Sequence, residues 1–438
     1  MGGNNGAMIL SVAATFGVLL GALAGAGGPA IYSDTPSRAE QEQLVERFFS
    51  LDGRTEEGWR GQREALADLQ GLPMPGRSAA KRWEKLYDKL RKKGKQLERG
   101  SGDHWFWPDS QLGLYLVAGN TVSPKALFIG MHGGGLGSGD AHTSLSSYAD
   151  AMEELDWVGV FPEVLEKTEL GWTTSGTEEF VLALIDAALR TWDVDPNRVY
   201  LGGHSMGGFG SWTLGAHHAD RVAALAPSAG APSPVYGPSG QVLSLARGVI
   251  PCLRNVPMVI YQSADDPKVG PKPNRFAALQ LDRSRRRWGG FENQEYWEVD
   301  GRGHDLPPGG TLAHLRKIEG YARQAHPDKI VWEPVLPWKR QFYWLFWETP
   351  VAEALVIAEL DRQENAVYVD LRKASPKGLS VLLSSELVDL EREVTVYLEE
   401  QEVYCGIPQP DFATRLLTGA AGDTARSYDI RIPLAPTE

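Results

Sequence analysis

Cysteine and positive charge are both scarce in this chain, and each shortage excludes a class of protein. Only two cysteines occur among 438 residues, Cys252 and Cys405, so no disulfide framework is available and neither lies in a metal-ligand cluster. Lys and Arg number 44 against 56 Asp and Glu, which gives a formal net charge of −12. No nucleic-acid partner is expected, because phosphate binding needs a surplus of Lys and Arg. No nucleotide-binding loop or metal cluster occurs, so we expect no cofactor.

Charge is also missing from the first 33 residues, of which residues 7–24 are largely apolar. An export signal would explain this pattern, with small residues at Ala22, Ala24 and Ala26 offering a cleavage site. An uncleaved membrane anchor is a second interpretation, because the apolar stretch approaches the length that spans a bilayer. A buried soluble helix is a third. We expect residues 1–30 to be a signal peptide or membrane anchor and the protein to be exported: periplasmic, secreted or membrane-anchored.

The rest of the chain has no internal repeats and divides by its hydrophobic periodicity. Residues 31–100 are predicted to be helical, because Ser37 and Glu40 have capping-box spacing and amphipathic stretches follow. Residues 327–438 alternate apolar and polar side chains with period two, which predicts a small, separate, antiparallel β domain. The aromatic run at residues 342–347 is interpreted as core packing, with a sugar-stacking platform as the alternative.

Between these two parts, residues 101–326 alternate short apolar strands with helices. One helix is predicted to be capped by Ser175 and Glu178, and another to span residues 311–322 with His314 inside it. Such alternation implies an α/β fold with a doubly wound, mostly parallel sheet, whose ligand site lies beyond the carboxyl ends of the strands. The predicted strands are residues 112–117, 126–131, 158–161, 199–201, 222–225, 258–261 and 296–299.

The motif that suggests a function is Gly-x-Ser-x-Gly at residues 203–207. An apolar strand precedes it and a segment with helical spacing follows, which is the setting of a sharp strand-to-helix turn that exposes the serine hydroxyl. Gly203 and Gly207 fit this turn, because strand and helix approach too closely there for a Cβ atom. We therefore interpret Ser205 as a nucleophile.

A serine hydroxyl is a weak nucleophile at neutral pH and needs a base within hydrogen-bond reach. Of the nine histidines we favour His304, which follows the last predicted strand in a glycine-containing loop that lets the ring reach inward. The base in turn needs a carboxylate that fixes its tautomer. Asp265 and Asp266 both follow a predicted strand, and we favour Asp266 because Pro267 biases its backbone to an extended conformation.

Attack on a carbonyl group would create an oxyanion, which needs preorganised N–H donors. One donor would be the amide of Met206, directly after the nucleophile. The other would be the amide of Gly134 or Gly135, since these glycines follow the strand at residues 126–131 and leave the backbone accessible.

Along the chain, the loop at residues 132–135 comes first and is followed by Ser205, Asp266 and His304. This order resembles that of the α/β-hydrolase superfamily. The segment at residues 195–210 is similar to phospholipase/carboxylesterase and polyhydroxybutyrate-depolymerase-like esterases, and to prolyl-oligopeptidase-type catalytic domains. The resemblance covers residues 105–323 and implies that Ser205, Asp266 and His304 form a catalytic triad. The parts outside this range inherit no function from it.

The sequence thus predicts a metal-independent serine hydrolase that cleaves small or polymeric carboxylic esters through an acyl-enzyme. A peptidase of the prolyl-oligopeptidase type is one alternative, and it is disfavoured because the sequence lacks the repeats of a β-propeller. A non-catalytic binding protein, with the β domain as its working part, is the other. If the apolar leader is retained, membrane attachment would accompany any of these functions.

Overall fold

The structure is a computed structural model, and it describes residues 35–436. The signal peptide or membrane anchor assigned to residues 1–30 lies outside the described residues, so export and membrane attachment stay predictions. In the described range, no helix is both long and apolar enough to cross a membrane. The boundaries drawn near residues 100 and 326 also stay predictions.

The N-terminal part of the described chain is helical. The capping box of the first helix is confirmed: the Ser37 hydroxyl accepts the Glu40 N–H at 3.4 Å, and the Glu40 carboxylate accepts the Ser37 N–H at 2.7 Å. The second helix lies in the range predicted to be helical but was not identified as a separate element, although Thr55 caps it and Trp59 is buried on it. The helices of the chain are α1 (Arg38–Ser50), α2 (Glu56–Leu69), α3 (Arg77–Lys92), α4 (Ala141–Leu155), α5 (Thr177–Trp192), α6 (Met206–His217), α7 (Lys272–Trp288), α8 (Gly310–Arg316) and α9 (Phe412–Gly419).

Two predicted helical features are wrong. The cap at Ser175 and Glu178 does not form, because the Glu178 carboxylate turns inward and pairs with His217 at 2.9 Å and His218 at 3.2 Å. Helix α5 accordingly has Gly176 at its N-cap and no side-chain cap. Helix α8 ends at Arg316 and not at residue 322. His314 within it is buried, and its Nε2 lies 2.7 Å from the Val259 carbonyl oxygen.

The centre of the molecule is an eight-stranded sheet of order β1-β2-β4-β3-β5-β6-β9-β10. Strand β2 is antiparallel to its neighbours β1 and β4, whereas every pairing from β4 to β10 is parallel. This confirms the mostly parallel sheet. Its strands are β1 (His104–Trp107), β2 (Leu112–Gly119), β3 (Leu127–Met131), β4 (Val158–Pro162), β5 (Val199–His204), β6 (Ala224–Ser228), β9 (Met258–Ser263) and β10 (Gln294–Val299), while β7 (Pro234–Tyr236) and β8 (Val242–Leu245) form a separate hairpin.

Helices cover both faces of this sheet, so it is doubly wound. Alternate residues of β3 point to opposite faces, as the strand period requires. Leu127 and Ile129 pack in one apolar cluster with residues of α5, α6 and α7, whereas Phe128 packs in another with residues of α4 and α8. All five residues of β3 are buried, which explains why such a parallel strand is apolar throughout.

The C-terminal part contains two further sheets, of order β11-β14-β15-β17-β18 and β12-β13-β16-β19. The expectation of purely antiparallel strands is wrong for one pair, because β15 and β17 are parallel. The chain leaves β15 for β16 in the other sheet before it returns, and such a crossover permits parallel pairing. The strands are β11 (Lys329–Trp332), β12 (Gln341–Phe342), β13 (Leu345–Trp347), β14 (Leu355–Asp361), β15 (Ala366–Arg372), β16 (Leu379–Leu383), β17 (Val394–Leu398), β18 (Gln401–Gly406) and β19 (Ile430–Pro433).

The aromatic run at residues 342–347 lies in the core, as the favoured interpretation has it, with every side chain buried. Phe342 stacks on Trp332 at a centroid distance of 5.5 Å. The same apolar cluster continues into the α/β part through Val249 and Val256. Interior packing therefore joins the central sheet to the C-terminal sheets.

Buried charges join the same two parts. The Asp220 carboxylate, fully buried after α6, pairs with Lys339 at 2.6 Å and with Arg426 at 2.8 Å. Arg323 pairs with Asp423 at 2.6 Å nearby. Although burial opposes ionisation, the two cations beside Asp220 hold its pKa well below the usual value. A buried ion pair is costly to break because the remaining charges lose their partner.

Replacement of this carboxylate should therefore destabilise the protein strongly. We expect Asp220→Asn to lower the free energy of unfolding by about 3 kcal/mol, because Lys339 and Arg426 would stay buried beside a neutral amide. Urea unfolding at pH 7 measures the change. The matched control is Glu42→Gln, which removes exposed ion pairs with Arg38 and Arg82 and should change the free energy by less than about 0.5 kcal/mol. Equal stability of the two variants would contradict the prediction.

Candidate active site

Ser205 lies at the turn between β5 and α6, at the carboxyl edge of the sheet. Its backbone has φ 60° and ψ −121°, a sparsely populated conformation. A Cβ atom on Gly203 would come within 2.5 Å of the Met131 carbonyl oxygen, and one on Gly207 within 2.0 Å of it. Glycine is thus required at both positions, and the turn presents the Ser205 side chain beyond the strand end.

Two loops bring the other predicted residues to this serine. His304 follows β10 and Asp266 follows β9, so both reach the same edge of the sheet. The Ser205 hydroxyl lies 3.0 Å from His304 Nε2, and His304 Nδ1 lies 2.7 Å from Asp266 Oδ2. The Asp266 side chain is fully buried and that of His304 is 12% exposed. With Nδ1 protonated, Nε2 is free to accept the serine proton.

The neighbouring carboxylates Asp265 and Asp266 have different partners. The second oxygen of Asp266 accepts the N–H groups of Lys268 at 2.8 Å and Val269 at 2.9 Å, which fixes the carboxylate that faces the imidazole. Asp265 instead accepts the N–H of Gly303 at 3.0 Å. It also accepts the Ser263 hydroxyl at 2.5 Å, the contact that contributes most to lowering the Asp265 pKa. Asp266 thus faces His304, and Asp265 holds the backbone of the loop that carries His304.

The loop that follows β3, residues 132–137, is called the glycine loop here and lies next to the serine. Gly133 lies closest to it: a Cβ atom there would be 3.3 Å from Ser205 Cβ. The Gly135 N–H points to the Ser138 carbonyl oxygen at 3.4 Å, whereas the Gly134 N–H donates to no acceptor among residues 35–436. The Met206 N–H belongs to the first turn of α6, which no side chain caps. Of the two glycines predicted for the oxyanion site, Gly134 therefore has the free amide.

The strand order and the turn at Ser205 together decide the architecture. The central domain has the α/β-hydrolase fold. The resemblance drawn from the sequence therefore holds for the fold, with six parallel strands behind the serine and the antiparallel β2 at the far side.

Comparison with known proteins finds similarity to proteins described as esterases. No family model matches the chain. A candidate esterase, NocK, from Nocardia uniformis subsp. tsuyamanensis is 32% identical over 166 residues, which cover 34% of this chain and 46% of NocK. The match therefore spans less than half of that relative's length.

Solved structures give a similar set of names. A thermostable esterase is 17% identical with a TM-score of 0.39, over 51% of this chain and 63% of its own. Est1E from Butyrivibrio proteoclasticus is 16% identical with a TM-score of 0.36, over 50% of this chain and 97% of its own.

Two polar residues beside Ser205 and His304 were not found from the sequence. The His204 ring lies 4.8 Å from the His304 ring, and its Nδ1 lies 2.9 Å from the Ser228 hydroxyl. Burial, followed by the nearby His304, lowers the pKa of His204 to about 4. A neutral His204 therefore stands beside His304 at neutral pH. For His204 the one sequence signal was its position next to Ser205. No sequence signal indicated Ser228.

The segment at residues 163–173, after β4, supports the glycine loop. The Trp172 indole N–H donates to the His132 carbonyl oxygen at 3.0 Å, and the Val164 N–H donates to His132 Nε2 at 3.2 Å. Further along, the Gly137 N–H donates to the Lys167 carbonyl oxygen at 2.9 Å. The glycine loop is thus held at both of its ends by one neighbouring segment.

The packing at Gly207 gives a test that is independent of any activity. We expect Gly207→Ala to lower the free energy of unfolding by about 2 kcal/mol, because its methyl group would overlap the Met131 carbonyl oxygen and force the strand and helix apart. Thermal or urea unfolding measures the effect. Gly320→Ala is the control, since a Cβ atom at that position meets no atom within 4 Å. A Gly207→Ala variant as stable as this control would show that the turn is looser than described.

Proposed function

We propose that this protein is a serine hydrolase that cleaves carboxylic esters through an acyl-enzyme. The observation that supports it best is the continuous line from the Ser205 hydroxyl through the His304 ring to the buried Asp266 carboxylate. Such a line activates a serine, because the imidazole accepts the hydroxyl proton and the carboxylate stabilises the resulting imidazolium.

In the proposed reaction, Ser205 Oγ attacks the ester carbonyl carbon while its proton passes to His304 Nε2. The amides of Met206 and Gly134 donate hydrogen bonds to the oxyanion that forms. His304 then protonates the departing alcohol, and the acyl group stays on Ser205. Water enters, gives a proton to His304 and attacks the acyl-enzyme. As the acid departs, His304 returns the proton to Ser205 Oγ. The proposed scheme uses no metal or cofactor.

His204 contributes to the charge balance of this scheme. Because its pKa is about 4, its ring carries no charge at neutral pH and does not repel the imidazolium formed on His304. Asp266 is then the charged partner in direct contact with that ring. The arrangement favours proton transfer in the first step at neutral pH.

The choice of an ester substrate rests on the relatives. NocK is named as an esterase, and its similarity covers about a third of this chain. We extend that substrate class to this protein as part of the proposal. Hydrolysis rates on a panel of esters would determine which lengths of acyl and alcohol groups the protein accepts.

A fluorophosphonate probe tests the proposed nucleophile directly. We expect the wild-type protein to be labelled on Ser205 and the Ser205→Ala variant to be unlabelled, since the probe reacts only with an activated serine. Peptide mapping by mass spectrometry locates the adduct. Ser228→Ala is the control, because Ser228 is buried next to His204 and has no place in the proposed attack. Labelling that persists in Ser205→Ala would refute the assignment.

The two aspartates should differ sharply in a hydrolysis assay. With 4-nitrophenyl butyrate, we expect Asp266→Asn to lower kcat by about 10³-fold or more, because an amide in place of the carboxylate favours the wrong tautomer of His304. Asp265→Asn should cost about tenfold or less, since it weakens only the hydrogen bonds that position the loop. Measured kcat values for both variants decide the matter, and a larger loss in Asp265→Asn would reverse the assignment of the two carboxylates.

A further inference from the structure

An acidic side chain, Glu169, lies directly against the glycine loop. The Leu136 N–H donates to Glu169 Oε1 at 3.2 Å. A Cβ atom on Gly135 would lie 3.0 Å from each oxygen of the same carboxylate. The carboxylate therefore borders the loop whose Gly134 amide is proposed to bind the oxyanion.

The backbone segment that carries this carboxylate is attached to the glycine loop. Glu169 belongs to the segment at residues 163–173, which is tied to the glycine loop through Trp172 and Lys167. A charge on a braced backbone can discriminate between substrates, because it does not move away from an unfavourable ligand.

The Glu169 carboxylate also lacks a cationic partner in the part of the chain that the structure describes. Nearby Lys167 pairs with Glu163 at 3.1 Å. Within residues 35–436, no Lys, Arg or His lies at ion-pair distance from the Glu169 carboxylate. An exposed anion of this kind attracts cationic ligands and repels anionic ones, and salt screens both effects.

Two exposed leucines are chain neighbours of the residues in this contact. Leu136 is 78% exposed and Leu170 is 50% exposed, and each is next to a residue of the glycine loop or to Glu169 itself. Gly135, beside which the carboxylate lies, directly follows Gly134, whose amide is the proposed oxyanion donor. The carboxylate is thus one residue along the chain from a group that would bind the carbonyl oxygen of the substrate.

We propose that Glu169, together with Leu136 and Leu170, selects esters that carry a positive charge on a short apolar arm. The inference rests on the proposed function and names the substrate class of the same site. In the proposed complex, methylene or methyl groups of the substrate contact the two leucines, and its cation lies beside the Glu169 carboxylate. An ester with an anion at the same position is disfavoured.

The test uses three butyrate esters that differ only in the charge of the alcohol. They are butyrylcholine, its neutral isostere 3,3-dimethylbutyl butyrate, and the anionic 2-sulfonatoethyl butyrate, each followed by release of acid at constant pH. For the full-length wild-type protein at low salt, we expect kcat/KM for the cationic ester to exceed that of the neutral one about three- to tenfold, with the anionic ester below both. Addition of 0.5 M NaCl should reduce these ratios.

Glu169→Gln removes the charge and retains an oxygen that accepts the Leu136 N–H. We expect it to bring the ratio of cationic to neutral ester close to one. Glu166→Gln is the matched control, since Glu166 is an exposed acid in the same segment and its side chain makes no hydrogen bond or ion pair within residues 35–436. It should leave the ratio unchanged.

Three outcomes would overturn the inference. A ratio that is the same in wild type and Glu169→Gln would show that the charge selects nothing. An equal loss of kcat on all three esters in Glu169→Gln would make Glu169 a positioning residue of the glycine loop. Failure to hydrolyse any of the three esters, with no labelling of Ser205, would overturn the proposed function as well, which distinguishes that failure from the first two.

Discussion

The backbone at the ends of β3 and β5 and at the start of α6 meets at the Met131 carbonyl oxygen, and the position of Ser205 depends on this contact. No side chain fits at Gly203 or Gly207, because a Cβ atom would overlap that oxygen. The close approach permits the backbone of Ser205 to keep a conformation that costs about 1–3 kcal/mol on its own. Its N–H donates to the Ser228 carbonyl oxygen of the next strand at 2.9 Å, which holds the turn in place. Everything proposed for the serine follows from this fixed exposure of its hydroxyl.

Features set by short stretches of sequence were predictable, and features set by distant contacts were not. The glycine spacing around Ser205 and the apolar runs of the parallel strands are local, so the sheet and the turn could be inferred. The inward turn of Glu178 depends on His217, some forty residues away, and an apparent capping box therefore misled the prediction. The parallel pairing of β15 and β17 depends on a crossover through another sheet, which periodicity cannot reveal.

The same distinction applies to the residues around the serine. His304 and Asp266 could be chosen because each follows a strand of a parallel sheet, where loops meet at one edge. Pro267 favoured Asp266 over Asp265, but the separate task of Asp265 could not be predicted, since only the loop geometry shows that its carboxylate accepts the Gly303 amide. Glu169 had no signal at all, because its contact with the glycine loop arises from a segment after a different strand.

Helix α6 links the site to the rest of the molecule, because both of its ends are fixed. At its N-terminal end Gly207 packs on Met131, and at its C-terminal end His217 pairs with the buried Glu178. Directly after the helix, Asp220 pairs with Lys339 of the C-terminal part at 2.6 Å. A helix of twelve residues is about 18 Å long, so α6 connects the charge cluster beyond its C-terminal end to the turn at its N-terminal end. The C-terminal sheets therefore have a structural connection to the serine through α6, even though their strands lie outside the α/β-hydrolase fold.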